Sequence, residues 1–165
     1  MTLLHRYTAT SLVLAASPLS AFAHTGVDAG LHGFSAGFVH PLTGADHLAA
    51  MVAVGLWSAL AARRWQDLLA APAAFMLMLL AGAVIGRLGV GVPAVEAVIG
   101  LSLLALGLLV ITRWRIPMPV AVFLVGAFAL FHGHAHGREL SAETEATMAL
   151  GGKLVAWLLL LGGGI

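Results

Sequence analysis

Five apolar stretches, each of membrane-spanning length and divided from the next by a short polar connection or a Gly/Pro turn, constrain this chain more than any other feature. They lie at about residues 31–62, 68–88, 94–111, 117–136 and 147–165. Hydrocarbon offers the backbone no hydrogen-bond partners, so each stretch must satisfy its own as a helix, and a span takes about 20 apolar residues. Composition points the same way: 61% of the 165 residues are hydrophobic and 9% charged, with mean hydropathy +1.01, whereas soluble domains carry about 25% charged residues. The expected fold is all-α, a polytopic transmembrane helical bundle of about five membrane helices forming one domain over residues 24–165. A net charge of +1 without any Lys/Arg cluster gives no footprint for nucleic acid. The absence of cysteine excludes disulfides, thiolate metal sites and cysteine nucleophiles together.

Residues 1–23 read as a cleavable signal peptide. Arg6 makes a basic start, Thr8–Ser17 a brief apolar core, and Ala21-Phe22-Ala23 a small-x-small cleavage site. A retained first membrane helix is the alternative, although the apolar run is short for about 30 Å of hydrocarbon. Cleavage would make His24 the N-terminus, where its α-amine and imidazole could chelate a metal together; a chance histidine at that place is the other reading. With the mature N-terminus outside, Arg63, Arg64, Arg113 and Arg115 fall inside and the acidic connection at 139–145 falls outside. Only Arg87 and Arg138 run against this positive-inside pattern.

Ionisable side chains are costly inside a membrane and by default mark functional sites. The first span carries His40, Asp46 and His47 deep in its apolar run. On one continuous helix His40 and His47 would stand about 20° apart around the axis, with Gly44 and Met51 on the same stripe. Asp46 would point roughly 100° away, placed to orient a histidine or to reach a neighbouring helix. Pro41 leaves a carbonyl one turn earlier without its donor, which membrane helices tolerate mainly beside a polar cavity, so a break is expected near it. Met51 faces correctly for a soft ligand but is read as packing.

A second constellation runs from Phe131 to Glu139. His132 and His136 are four residues apart and Glu139 lies three beyond, so on a helix they share a face; His134 points nearly the opposite way. Two imidazoles and a carboxylate suit a divalent first-row metal such as Ni²⁺, Co²⁺ or Zn²⁺. A histidine-rich interfacial segment with no site is the plain alternative. Glu96 opens the third span, a position that the helix dipole alone would also favour for a carboxylate. In the topology above these groups all approach the outer surface and are expected to converge on one periplasm-facing vestibule. Gly82-x3-Gly86 suits close helix packing, and Lys153, near an end of the last span, can be accommodated by snorkelling.

His40-x5-Asp46-His47 and Phe131-His132-Gly133-x-Ala135-His136-Gly137-x-Glu139 resemble the two signature motifs of the HupE/UreJ family, small bacterial membrane proteins regarded as secondary nickel or cobalt permeases. The resemblance covers about residues 20–140 and takes in a signal peptide ending just before a histidine and Glu96 in the third helix. It implies that His40, Asp46, His47, His132, His136 and Glu139 take part in metal recognition, with Glu96 joining them. The last span departs from the family pattern, in which a fifth helix carries a further histidine and a sixth follows: Met148–Ile165 has no histidine and holds Lys153.

The implied function is uptake of Ni²⁺, with Co²⁺ close behind, across a bacterial inner membrane, by a multi-pass, non-enzymatic protein with a periplasmic N-terminus. The metal is transported substrate, with no permanently bound cofactor, and the link to hydrogenase or urease maturation is indirect. Expected partners are the divalent ion and the lipid bilayer; a homo-oligomer is left open. Gly151-Gly152-Lys153 does not match a phosphate-binding G-x4-G-K-[ST] loop, so the drive falls to the membrane potential, at roughly 2.3 kcal/mol per charge per 100 mV. Ligand histidines must be neutral, so uptake is expected to fall with pH. Two rival readings remain. One is an intramembrane metal-dependent hydrolase with Asp46 or Glu139 as base, weakened by the lack of His-Glu-x2-His. The other is a metal-binding or sensing protein without transport.

Overall fold

Pro41 and Gly44 divide the first apolar stretch into two helices. In the computed structural model, which describes residues 31–140 and 145–165, α1 (Gly33–Thr43) ends and α2 (Ala45–Ala61) begins across Gly44, with a bend of 75° between them. The expected signal peptide and His24 lie outside the described residues. Pro41 has no N–H for the carbonyl one turn back, which weakens the last turn of α1, but the break itself comes three residues later. Gly44 leaves helical conformation (φ −77°, ψ 103°), yet its N–H still donates to His40 O at 3.2 Å and its carbonyl accepts from Leu48 N–H at 2.9 Å. Both backbone groups of Gly44 are therefore satisfied across the turn. His40 and His47 consequently stand on two helices, which corrects the expected single stripe.

Four further helices follow: α3 (Trp65–Arg87), α4 (Val95–Thr112), α5 (Met118–Leu140) and α6 (Ala146–Gly164). Each is long and apolar enough to cross a membrane, and α1 with α2, taken together, make a fifth span. The protein is an all-helical membrane bundle. α5 continues past His136 to Leu140, so Glu139 stays in helical register with the histidines.

Glycine seams hold the helices in two parallel pairs. Gly82 and Gly86 of α3 lie against the backbone of α5 at Leu130 and His134, while Gly133 and Gly137 of α5 lie against the backbone of α3 at Leu79 and Ala83. A Cβ at any of these four positions would collide with a carbonyl oxygen of the other helix. Only glycine lets two membrane backbones come this close, where dispersion replaces the absent hydrophobic drive. A second seam joins α1 and α2 to α6: Gly37 abuts the backbone of Ala149, Gly152 that of Phe34, and Gly55 that of Leu161.

The core between the pairs is apolar toward one end, with Met51, Val54, Phe75 and Leu106 fully buried. There Trp57 Nε1–H donates to Trp114 O at 2.9 Å, tying α2 to the connection between α4 and α5. Leu101, Leu104, Leu108 and Ile111 of α4 point outward, the apolar surface a helix shows to lipid. The opposite end of the bundle collects the ionisable side chains.

Candidate metal centre

Three helices bring their ligating groups to one place because the motifs are helical and the seams fix the helix faces. In α5 the four-residue spacing works twice: Gly133 and Gly137 face α3, and His132 and His136, one position earlier each, face α2. Both imidazoles are fully buried. The α1–α2 bend delivers His40 from one side and the Asp46–His47 pair from the other.

At the outer level, Glu139 Oε2 accepts from His40 Nε2 at 2.8 Å and from His136 Nδ1 at 3.3 Å. One donor atom from each of His40, His136 and Glu139 lies within 4.8 Å of the others, the one such set of three among the described residues. The side chains of His40 and Glu139 are 23% and 29% exposed, whereas that of His136 is fully enclosed. The set is open on one side.

From there imidazoles continue inward. The His136 ring lies 5.4 Å from that of His40 and 4.0 Å from that of His47, and His47 in turn lies 4.9 Å from His132, centroid to centroid. Second partners set the tautomers. Asp46 Oδ1 takes the His47 Nδ1–H at 2.8 Å, and also the His47 backbone N–H at 2.9 Å, so in the neutral ring the lone pair is on Nε2. Ser102 Oγ–H donates to Ile99 O at 2.6 Å, which leaves the hydroxyl oxygen to accept His132 Nε2–H at 2.8 Å. His132 Nδ1 is then a bare lone pair, and neither it nor His136 Nε2 has a hydrogen-bond partner among the described residues. Buried polar atoms are nearly always satisfied, and a metal-binding histidine typically gives its other nitrogen to an orienting acceptor. The arrangement is what a borderline divalent cation requires: neutral imidazole lone pairs, already aimed, with a carboxylate to offset charge.

His134 and Glu96 stand apart from this series. His134 Nε2–H donates to Val90 O at 2.8 Å on the far side of α5. Glu96, in the first turn of α4, lines a cleft of about 550 Å³ with Val92, His134, Arg138 and Glu139. Glu139 is the one residue common to that cleft and the three-ligand set, and Glu96 and His134 are not brought into that set.

The model of the HupE / UreJ protein family matches residues 12–165. Protein HupE of Rhizobium leguminosarum bv. viciae is 41% identical over 155 residues, which span 94% of this chain and 80% of that protein. The chain belongs to the HupE/UreJ family. No solved structure matches it.

Three residues at the centre of this HupE/UreJ bundle escape the motif-based reading. Ser102, fully buried, fixes His132. Trp157 of α6 packs its ring 5.4 Å from that of His136. Lys153 is fully buried and donates from Nζ to Glu139 Oε2 at 3.1 Å, so it is accommodated by an internal partner and not by snorkelling. The signal for Lys153 was present: an ionisable residue within a span implies an internal partner, and it is the only lysine in the sequence. Ser102 gives no such signal, since a lone serine in a leucine-rich span is compatible with simple packing.

Proposed function

We propose that the protein is a secondary permease that takes up Ni²⁺, with Co²⁺ as the second substrate, across a bacterial inner membrane in support of hydrogenase or urease maturation. The observation that carries this reading is the graded series of imidazoles. It starts at half-open His40 and Glu139, passes through enclosed His136, and ends at buried His47 and His132. An ion exchanging water for ligands one at a time avoids the cost of entering the bundle bare, and mixed imidazole–carboxylate sites bind firmly enough to admit it yet release it. The mature N-terminus is taken as periplasmic, which leaves exposed Arg63, Arg64, Arg113 and Arg115 on the cytoplasmic side. The membrane potential then favours inward movement of a divalent cation.

The test is uptake of radioactive nickel in a host lacking its own nickel importers, with cobalt as competitor and membrane insertion followed by blotting. The chain is expected to support uptake that cobalt competes away, and His47→Ala and His132→Ala are each expected to abolish it. A well-inserted wild-type chain that takes up no nickel would remove transport from consideration.

A further inference from the structure

Glu139 Oε2 carries three donors at once: His40 Nε2 at 2.8 Å, Lys153 Nζ at 3.1 Å and His136 Nδ1 at 3.3 Å. The three are not equivalent toward a metal. An imidazole that gives up or relocates its proton becomes a ligand, whereas a lysine ammonium has three donors and no lone pair. A cation bound to that carboxylate oxygen would therefore sit against a fixed positive charge in a poorly screened site, where repulsion is strong. Lys153 is the group that has to leave, and its flexible four-carbon stem allows this without movement of a helix. The Lys153 side chain is 1% exposed, so its charge is not an idle surface feature.

We propose that Lys153 is a tethered counter-cation for the outer metal set. Its ammonium holds the cation position at Glu139 when no metal is present, yields that position to an arriving divalent ion, and by returning drives the ion off the carboxylate. This rests on the permease reading, and it assigns Lys153 the task of keeping capture weak enough for release. The residue positions and competes; it does not ligate.

Purified chain in detergent, titrated with Co²⁺ and followed by visible absorption, provides the test. Lys153→Met, which keeps the stem and deletes the charge, is expected to bind Co²⁺ at least about tenfold more tightly than wild type, whereas Lys153→Arg stays near wild type. In cells, Lys153→Met is expected to lower both the KM and the maximal rate of uptake. Equal or weaker Co²⁺ binding by folded Lys153→Met would overturn the proposal while leaving metal binding by the wild type standing. Absence of Co²⁺ binding by every chain would overturn this inference and the metal reading together. A second measurement needs no variant. Because Lys153 is the only lysine, its acylation by an amine reagent can be read from a single peptide by mass spectrometry. Saturating Co²⁺ is expected to raise that labelling severalfold, and unchanged labelling of cobalt-loaded wild type would count against displacement.

Discussion

Asp46 and Ser102 bear on the proposed metal path through the histidines they hold. With Asp46 on Nδ1, His47 presents its Nε2 lone pair; with Ser102 on Nε2, His132 presents Nδ1. Orienting partners of this kind are typically worth 10–100-fold in metal affinity. Asp46→Ala is therefore expected to weaken Co²⁺ binding by roughly that factor, measured by titration of the purified chain. Ser102→Ala leaves a buried N–H without its acceptor, a loss of about 1–3 kcal/mol. It should lower both the melting temperature and the metal affinity, whereas Ser102→Thr, which keeps the hydroxyl, should restore most of each. Were Ser102→Ala to melt like wild type and bind metal equally well, the tautomer argument for His132 would be wrong. How far these residues could be read from the sequence depends on distance along the chain. Asp46 adjoins its histidine, and orienting it was one of the two roles the sequence offered. Ser102 is separated from His132 by 30 positions, and nothing local announces such a pair.

The helices themselves were legible because lipid permits few alternatives and the apolar runs have clear ends. The bend was half legible. Pro41 announced it, but the turn falls at Gly44, since a proline weakens bonds behind it while the backbone leaves the helix where a residue can cap both sides. The shared face of His132, His136 and Glu139 follows from local helical period and needs no knowledge of the fold. The shared face expected for His40 and His47 needed an unbroken helix, and failed with the break. Glycines at the two kinds of position should respond differently. A Cβ on Gly44 would lie 3.4 Å from Asp46 Oδ1 and 3.5 Å from His47 Nδ1, ordinary contacts, so Gly44→Ala should fold and keep its metal affinity within about twofold. A Cβ on Gly133 would run into Leu79 O. Forced overpacking of this kind costs about 1–3 kcal/mol, so Gly133→Ala should melt several degrees lower in detergent. Equal melting of the two variants would show that the α3–α5 seam is looser than its geometry implies.

Across the described residues the two ends differ in kind: one gathers imidazoles with Asp46 and Glu139, while the other is an apolar core bordered by Arg63, Arg64, Arg113 and Arg115. Uptake through such a body should respond to two global variables. Collapse of the membrane potential in vesicles should stop nickel accumulation, because a divalent ion loses roughly 4.6 kcal/mol of drive per 100 mV. Persistence of uptake without a potential would point to another source of energy. Lowering the external pH should raise the KM, because protons and metal compete for the same imidazole lone pairs and metal binding releases protons. A KM unchanged by acid would mean that the histidines do not ligate. One mechanical consequence follows from the seam between α3 and α5. Gly133 and Gly137 hold one side of α5 against the carbonyls of α3, while His132 and His136 sit one position away on the side facing α2. Turning α5 by a single residue, about 100°, would drive a side chain into the Leu79 or Ala83 carbonyl. Rotation of the histidine helix is thus unavailable as a working stroke. Any opening movement would therefore have to carry α1, α2 and α6 together, since the second seam joins them, past a histidine helix that stands still.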